Sequence, residues 1–398
     1  MLLNAQASQY VTIAEHNGAR EDQRRSSPQR LRVLQVTPRY YPDMGGVENH
    51  VYQVATRLAE QNVDVSVLTT DRSGQRPSYE MRDGVMIHRV RAWPTDKDFY
   101  FAPALQHMIA NGNWDLMHLQ SYHTFVAPLA MQAARQATLP YVVTFHGGGH
   151  SSRLRTALRG IQWTLLRPLL AHAERLIAVA DFEVPLFSQR LQVPLERFTV
   201  IPNGADLPQL TQAVATPAIE PLIVSVGRLE RYKGHQRVIA ALPVLLKQYP
   251  QARLRIIGSG PYEGQLRQLA QRLGVAQHVD IYAVPATERQ AMARELAQAA
   301  LVVLLSDYET QPLAVLEALG LGRPVLVADT SGLRELAARG LARAIPLAAT
   351  PEQAASAMLE QLRNPLVPPM INLPTWNECA SQLLSLYQSI IRKTQCAF

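Results

Sequence analysis

Residues 301–325 read LVVLLSDYETQPLAVLEALGLGRPV. The stretch opens on an unbroken apolar run, Leu301 to Leu305. Such a run, short and rich in Val and Leu, predicts a strand buried on both faces. It breaks into the polar tip Ser306-Asp307-Tyr308-Glu309-Thr310-Gln311. Pro312 follows, a residue favoured in the first turn of a helix because its missing N–H costs little there. A helix is then expected over Leu313–Leu321, stopped at Gly322. Strand, tip and helix in this order mark the edge at which an open α/β sheet binds ligands.

Two carboxylates set this tip apart. Glu309 is on the loop, and Glu317 lies eight residues later inside the helix. The helical neighbours of Glu317 are Leu313, Ala314, Gly320 and Leu321, all apolar or small. A carboxylate in such surroundings needs a donor. A sugar diol would supply one, and so would a nearby arginine.

Working outward, the same alternation fills the chain. Upstream, strands are expected at Leu31–Thr37 and Val63–Thr69, then near 85–90, 115–119, 140–144, 175–179 and 198–201. The first two enclose Gly45-Gly46-Val47-Glu48 and a helix reaching about Gln61, striped by Val51, Val54, Ala55 and Leu58. Glycines at a helix start suit an anion or the close approach of a ligand. The strand Tyr141–Phe145 runs into His146-Gly147-Gly148-Gly149, which puts an imidazole at the sheet edge. Residues 202–221 break the pattern with Pro-Asn-Gly-Ala-Asp-Leu-Pro and a loose Thr/Ala/Pro segment. Strands then resume at 222–226, 254–257, 278–282, 301–305, 324–328 and 342–346, with helices between them.

The reading is therefore an α/β chain of two doubly wound parallel-sheet domains. We divide it into a flexible extension (1–29), a first domain (30–206), a linker (207–221), a second domain (222–372) and a C-terminal helix (373–398). That last helix carries Cys379, Leu383, Leu384, Tyr387 and Ile390 on one side and is expected to pack back towards the first domain.

Composition narrows the class. The chain has 398 residues, 47% of them hydrophobic and 18% charged. That is ordinary for a globular α/β protein of two domains. No apolar run is long enough to span a bilayer, and the first residues lack the pattern of a secretory signal. Two cysteines near the C-terminus form neither a disulfide framework nor a metal cluster. A cytoplasmic protein is the expectation. A net charge of +7 favours anionic partners. No nucleic-acid motif accompanies it, so nucleic acid is not an expected partner.

The two sheet edges offer complementary groups. Gly45, Gly46 and His146 come from the first half, and Arg228, Lys233, Gly258, Gly260, Glu309 and Glu317 from the second. An arginine fork and a lysine point charge after one strand suit a diphosphate. The helix start near Thr310, Gln311 and Leu313 adds free N–H groups and a positive dipole end. Carboxylates suit the hydroxyls of ribose and sugar. Together these groups fit a nucleoside diphosphate sugar in a cleft between the domains.

At this point the chain resembles the retaining glycosyltransferases of family 4, which share the two-Rossmann GT-B fold. The carriers are PDMGGVENH, VVTFHGG, IPNGAD, SVGRLERYKG, IGSGP and ETQPLAVLEALGLGRPV, and they cover about residues 31–392. The resemblance implies that Glu317 binds the ribose, Glu309 the donor sugar, and Arg228 and Lys233 the diphosphate. It implies that Gly45 and Gly46 admit the phosphate and sugar, and that His146 lines the reacting centre. Asn203 and Asp206 match its hinge segment. It further implies a metal-independent hexosyl transfer with retention, from a UDP- or GDP-hexose to a glycan or lipid-linked acceptor. No cofactor beyond the donor substrate is expected. Exopolysaccharide or cell-surface polysaccharide synthesis is the expected setting. The competing readings are a catalytically degenerate sugar-nucleotide-binding partner subunit and a GT-B nucleotide-sugar epimerase. Two departures stand out. Thr310-Gln311-Pro312 replaces the glycines usual after the first glutamate, and Ala283 replaces a glycine before Val284. Pro312 removes one backbone donor.

Three further signals remain. Asp96-Lys97-Asp98 matches a metal-binding pair but sits in a loop of the wrong fold type, and His118, His123 and His146 lack shared ligand spacing. In residues 152–171, Leu154, Leu158, Ile161, Leu165 and Leu169 predict an apolar, core-facing side, with Arg159, Trp163 and Arg167 opposite. A basic face bearing a Trp suits an anionic membrane surface, so peripheral contact at the inner face of the plasma membrane is expected.

Overall fold

The computed structural model describes residues 30–43, 45–95, 100–147, 153–205, 220–285, 288–368 and 373–396. The expected extension 1–29, Asp96–Asp98, Gly148, Gly149, Asp206 and nearly all of the linker 207–221 lie outside these residues.

Two separate sheets form. The first contains β1 (Arg32–Val36), β2 (Asp64–Asp71), β3 (Tyr79–Arg82), β4 (Val85–Arg91), β5 (Leu116–Gln120), β6 (Tyr141–Thr144), β7 (Arg175–Ala178) and β8 (Phe198–Val200). Its order is β3-β4-β2-β1-β5-β6-β7-β8. The second contains β9 (Leu222–Val226), β10 (Arg253–Ile257), β11 (Val279–Tyr282), β12 (Leu301–Leu304), β13 (Val325–Ala328) and β14 (Arg343–Ile345). Its order is β11-β10-β9-β12-β13-β14.

Both sheets reverse their strand order beside their own first strand. β1 pairs in parallel with β2 and β5, and β9 with β10 and β12. Each reversal opens a crevice at the C-terminal edge of the strands, where ligands bind such sheets. β3 is an addition to the sequence reading. It pairs antiparallel with β4 at the sheet edge, and its Tyr79 and Met81 are exposed. A four-residue strand half in solvent gives too weak an alternation to stand out.

The opening stretch forms as expected. Leu301 to Leu305 are at most 3% exposed, and the helix Leu313–Gly320 ends at Gly322 in the left-handed region (φ +66°). Pro312 stands at the N-cap, one position before the helix, rather than in its first turn.

The second domain has one apolar core built on β9, β10, β12 and β13. The first has a core on each face of its sheet. One of these is completed by the C-terminal helix Trp376–Cys396, which inserts Trp376, Cys379, Leu383, Tyr387 and Ile390 against Val33, Val51 and Val142. The helix Arg153–His172 departs from the sequence reading at Ile161, Trp163 and Leu165, while Leu169 packs on the core and Arg167 is exposed as expected. Trp163, Leu166 and Leu170 are buried against Tyr122, Phe145 and Phe187, whereas Ile161 and Leu165 are 60% and 71% exposed. Two apolar stripes competed in this sequence, and the wider indole surface took the core. Leu154, Leu158 and Arg159 lie outside the residues whose side chains are described. Among the described residues, no helix is long and apolar enough to cross a membrane.

Candidate active site

The second-domain wall is built from the loops after β9 and β12. The turn Arg231–Lys233 ends at Gly234, whose positive φ and contact with the Leu305 carbonyl leave no room for a Cβ. This turn aims Lys233 at the tip. Its Nζ lies 2.6 Å from Glu309 Oε1, and Ser306 Oγ donates to the same oxygen at 2.8 Å. The Lys233 and Glu309 side chains are only 16% and 11% exposed. Burial opposes the lysine charge, but Glu309 and then Tyr232 outweigh it and leave its pKa above the ordinary value. The Glu309 backbone is pinned as well, its N–H donating to Ser331 Oγ at 2.8 Å. Arg228 projects from the same loop. Its side chain is 56% exposed and is 3.2 Å from both Glu230 and the Tyr232 hydroxyl.

Glu317 is buried, and Arg289 is an ion-pair partner. Of the two donors open to it in the sequence, the arginine is present within the protein. Gly258 and Gly260 lie on the turn after β10, which packs tightly on the turn after β9. The rest of the tip reaches across the cleft. Thr310 Oγ1 donates to the Gly147 carbonyl at 3.2 Å. Gln311 accepts from the Asn203 N–H at 2.5 Å and donates to its carbonyl at 3.2 Å. Leu313 packs against the first-domain core.

The first-domain wall is different in kind. Gly45 caps the helix Gly46–Glu60, and its missing side chain leaves space that Glu48 fills. A Cβ at Gly45 would lie 2.6 Å from Glu48 Oε2. The anion position expected for a ligand at this helix start thus already holds a carboxylate. Burial pushes the Glu48 carboxyl up, while Arg39, 3.4 Å away, holds it down. Gly46 faces open space.

His146 sits beyond β6 and is 8% exposed. Its Nε2 is 2.8 Å from Gln120 Oε1, and its ring meets His50 edge-on at 4.7 Å between centroids. Burial, then the nearby His50, His118 and His123, hold its pKa well below the usual imidazole range. His50 is bonded to Asn203 Oδ1 at 2.6 Å and lowered by burial to about 4. The imidazoles of this wall are therefore neutral.

Beside Gly147, Glu183 is fully buried at the start of the helix Glu183–Leu191. It accepts from the Val179 N–H at 2.9 Å. Burial pushes its carboxyl up to about 8 against the pull of the surrounding amides, and Glu335 of the second domain pushes the same way. Glu335 in turn accepts from the Phe182 N–H at 2.6 Å.

The structure thus joins Lys233 directly to Glu309, places Arg228 in the same loop, and couples Thr310 and Gln311 to the opposite domain. Glu317 has Arg289 as its partner. Sequence reasoning did not single out Glu48, His50, Gln120, Glu183 or Arg289. His50 and Glu48 stand inside the quoted PDMGGVENH segment, and their spacing from the glycine pair was the available signal.

The comparisons agree with this architecture. The description "Glycosyltransferase Family 4" matches residues 44–209, and "Glycosyl transferases group 1" matches residues 209–372. A D-inositol 3-phosphate glycosyltransferase of Nocardiopsis dassonvillei is 27% identical, covering 87% of this chain and 90% of its own. A glycogen synthase of Mycobacterium tuberculosis is 30% identical, covering 78% of this chain and 81% of its own. Among solved structures, a sucrose-phosphate synthase from Thermosynechococcus elongatus superposes with a TM-score of 0.75 at 20% identity, covering 92% of this chain and all of its own. The chain belongs to the family 4 glycosyltransferases, and its two parallel-sheet domains are those of the GT-B fold.

Proposed function

We propose that this protein is a retaining hexosyltransferase that takes its sugar from a UDP- or GDP-hexose and works without a bound metal. The observation that carries the reading is the Lys233–Glu309–Ser306 cluster at the tip between the domains, with Arg228 beside it. Glu309 holds donor-sugar hydroxyls. Glu317, already set by Arg289, holds the ribose. Lys233 and Arg228 neutralise the diphosphate as the bond from the anomeric carbon to its phosphate oxygen breaks. The acceptor oxygen bonds to that carbon on the same face, and its proton passes to the departing phosphate oxygen. Electrostatic stabilisation of the leaving group is then the main catalytic contribution. His146 lines the opposite side, where the acceptor hydroxyl enters.

The acceptor is a glycan or lipid-linked precursor of a cell-surface polysaccharide or exopolysaccharide, met at the inner face of the plasma membrane. Support for the membrane comes from the helix Arg153–His172. It turns Ile161 and Leu165 to solvent, and Phe125 is 56% exposed on the same domain. Apolar side chains turned to solvent on a chain of net charge +7 suit an anionic bilayer surface.

The test incubates the protein with a panel of sugar nucleotides, with and without lipid-linked acceptors, and follows nucleotide release and sugar transfer. Transfer from one donor with the anomeric configuration kept, undiminished by a chelator, is expected. Tight binding without turnover would favour the partner-subunit reading instead.

A further inference from the structure

A buried row of polar side chains runs from the C-terminal helix to the edge of the cleft. Tyr387, Gln35, His118 and Gln120 are fully buried, and Thr144 is 1% exposed. The sheet order sets β1, β5 and β6 side by side. Residues two apart on a strand share a face, so His118 and Gln120 point the same way along β5.

The Tyr387 hydroxyl is the hub. It accepts from Gln35 Nε2 at 3.2 Å and lies 2.5 Å from His118 Nδ1. His118 Nε2 is 2.6 Å from Thr144 Oγ1. Gln120 Nε2 donates to Gln35 Oε1 at 2.7 Å, which leaves Gln120 Oε1 facing His146 Nε2 at 2.8 Å.

An amide has one donor end and one acceptor end. With Gln35 donating to Tyr387, its carbonyl accepts from Gln120, and the Gln120 carbonyl accepts from His146. The proton of a neutral His146 ring then sits on Nε2, and Nδ1 keeps a lone pair. A phenylalanine at 387 would fill the same space among Val33, Val142 and Leu383. Burying a hydroxyl, two amides and an imidazole there is justified only if their bonds are all made. The row ends at the one member that borders the cleft.

We propose that Tyr387 is a positioning residue for the transfer step, holding His146 in one ring tautomer and one orientation through Gln35 and Gln120. The step itself rests on the transferase reading above, with His146 lining the reacting centre.

The test uses full-length protein labelled with ¹⁵N-histidine, with His146→Gln assigning the signal. Tyr387→Phe keeps the ring and removes the hub. Its His146 nitrogens are expected to move towards the averaged values of a mobile imidazole. Its kcat is expected to fall roughly tenfold, the rate equivalent of one hydrogen bond, with the donor KM unchanged. Leu383→Ala removes packing from the same helix and is expected to leave the His146 signals in place. Should Tyr387→Phe not fold, Gln35→Met interrupts the same row and is read in its place. Unmoved His146 signals, an unchanged kcat, or the same kcat loss in Leu383→Ala would overturn the proposal. If the wild-type protein transfers no sugar, the transferase reading fails, while the nitrogen signals still decide the tautomer.

Discussion

The two walls of the cleft hold their polar groups in opposite ways. On the second domain they are charged and paired: Lys233 with Glu309, Arg289 with Glu317, Arg228 with Glu230. Around His146 on the first domain they are neutral: its ring meets that of His50, and it is linked through Gln120, Gln35 and Tyr387 to His118. The difference follows from what each side must receive. A wall of paired charges can exchange one partner for a phosphate or a hydroxyl without isolating a charge, which would be costly in a buried site. A wall of fixed neutral donors and acceptors can orient an uncharged hydroxyl without competing for the diphosphate.

The charged side is the easier to break. Glu309→Ala strands Lys233 and removes the sugar contact, so turnover should fall below detection in a nucleotide-release assay. Near-normal activity would end its assigned role. Lys233→Met removes the ammonium from the diphosphate and should lower kcat by about 10²–10³-fold. A loss confined to KM would instead mark uniform binding.

Glu183 tests the neutral side. Its carboxyl is raised to about 8 from an ordinary 4.5. A raised folded-state value means the contribution to stability is complete below pH 4.5 and is lost as pH rises through 8. Between those limits the unfolded chain is ionised while the folded one keeps its proton. Wild-type stability should therefore fall, relative to Glu183→Gln, by about 1.4 kcal/mol per pH unit. Denaturant unfolding of both proteins from pH 5 to 8 measures it. Parallel curves would show that the group is already ionised and that this wall is not neutral near Gly147.

Much of this was legible in the sequence, for a physical reason. Apolar strands buried on both faces and helices ending at glycine leave period and composition marks that survive without coordinates, as Leu301–Leu305 and Gly322 do. Glu309 stood out by its spacing from Glu317 around a helix start, and Lys233 because it follows Arg228 in the loop after a strand, where such sheets bind ligands. The neutral row did not stand out. Gln35, His118 and Gln120 look like residues on a solvated strand face, and their hub, Tyr387, lies on the last helix. Nothing in the sequence separates Glu183 from an ordinary acid in a first helical turn. Only the packing of distant segments reveals that these groups are buried.

A smaller effect separates the ribose contact from the rest of the charged wall. Glu317→Gln keeps the shape and weakens the pair with Arg289. Nucleoside diphosphate binding, measured by calorimetry, should weaken by about tenfold, or roughly 1.4 kcal/mol. Unchanged affinity would leave Glu317 as a partner for Arg289 alone and move the ribose elsewhere on the same wall.

The smallest change in the folded protein is expected outside the cleft, on the helix Arg153–His172. Trp163 and Leu165 are two residues apart, yet one is 6% and the other 71% exposed. If the outer side only meets water, Leu165→Glu should be invisible in every assay. If it meets lipid, the same substitution puts a negative charge on an apolar contact with an anionic surface. Stability should stay within about 0.5 kcal/mol of wild type either way. Co-sedimentation with anionic vesicles should fall, and turnover of a soluble acceptor should not. Equal vesicle binding by both proteins would return Ile161 and Leu165 to the ordinary apolar surface of a soluble domain, and the acceptor would then have to reach the neutral wall from solution.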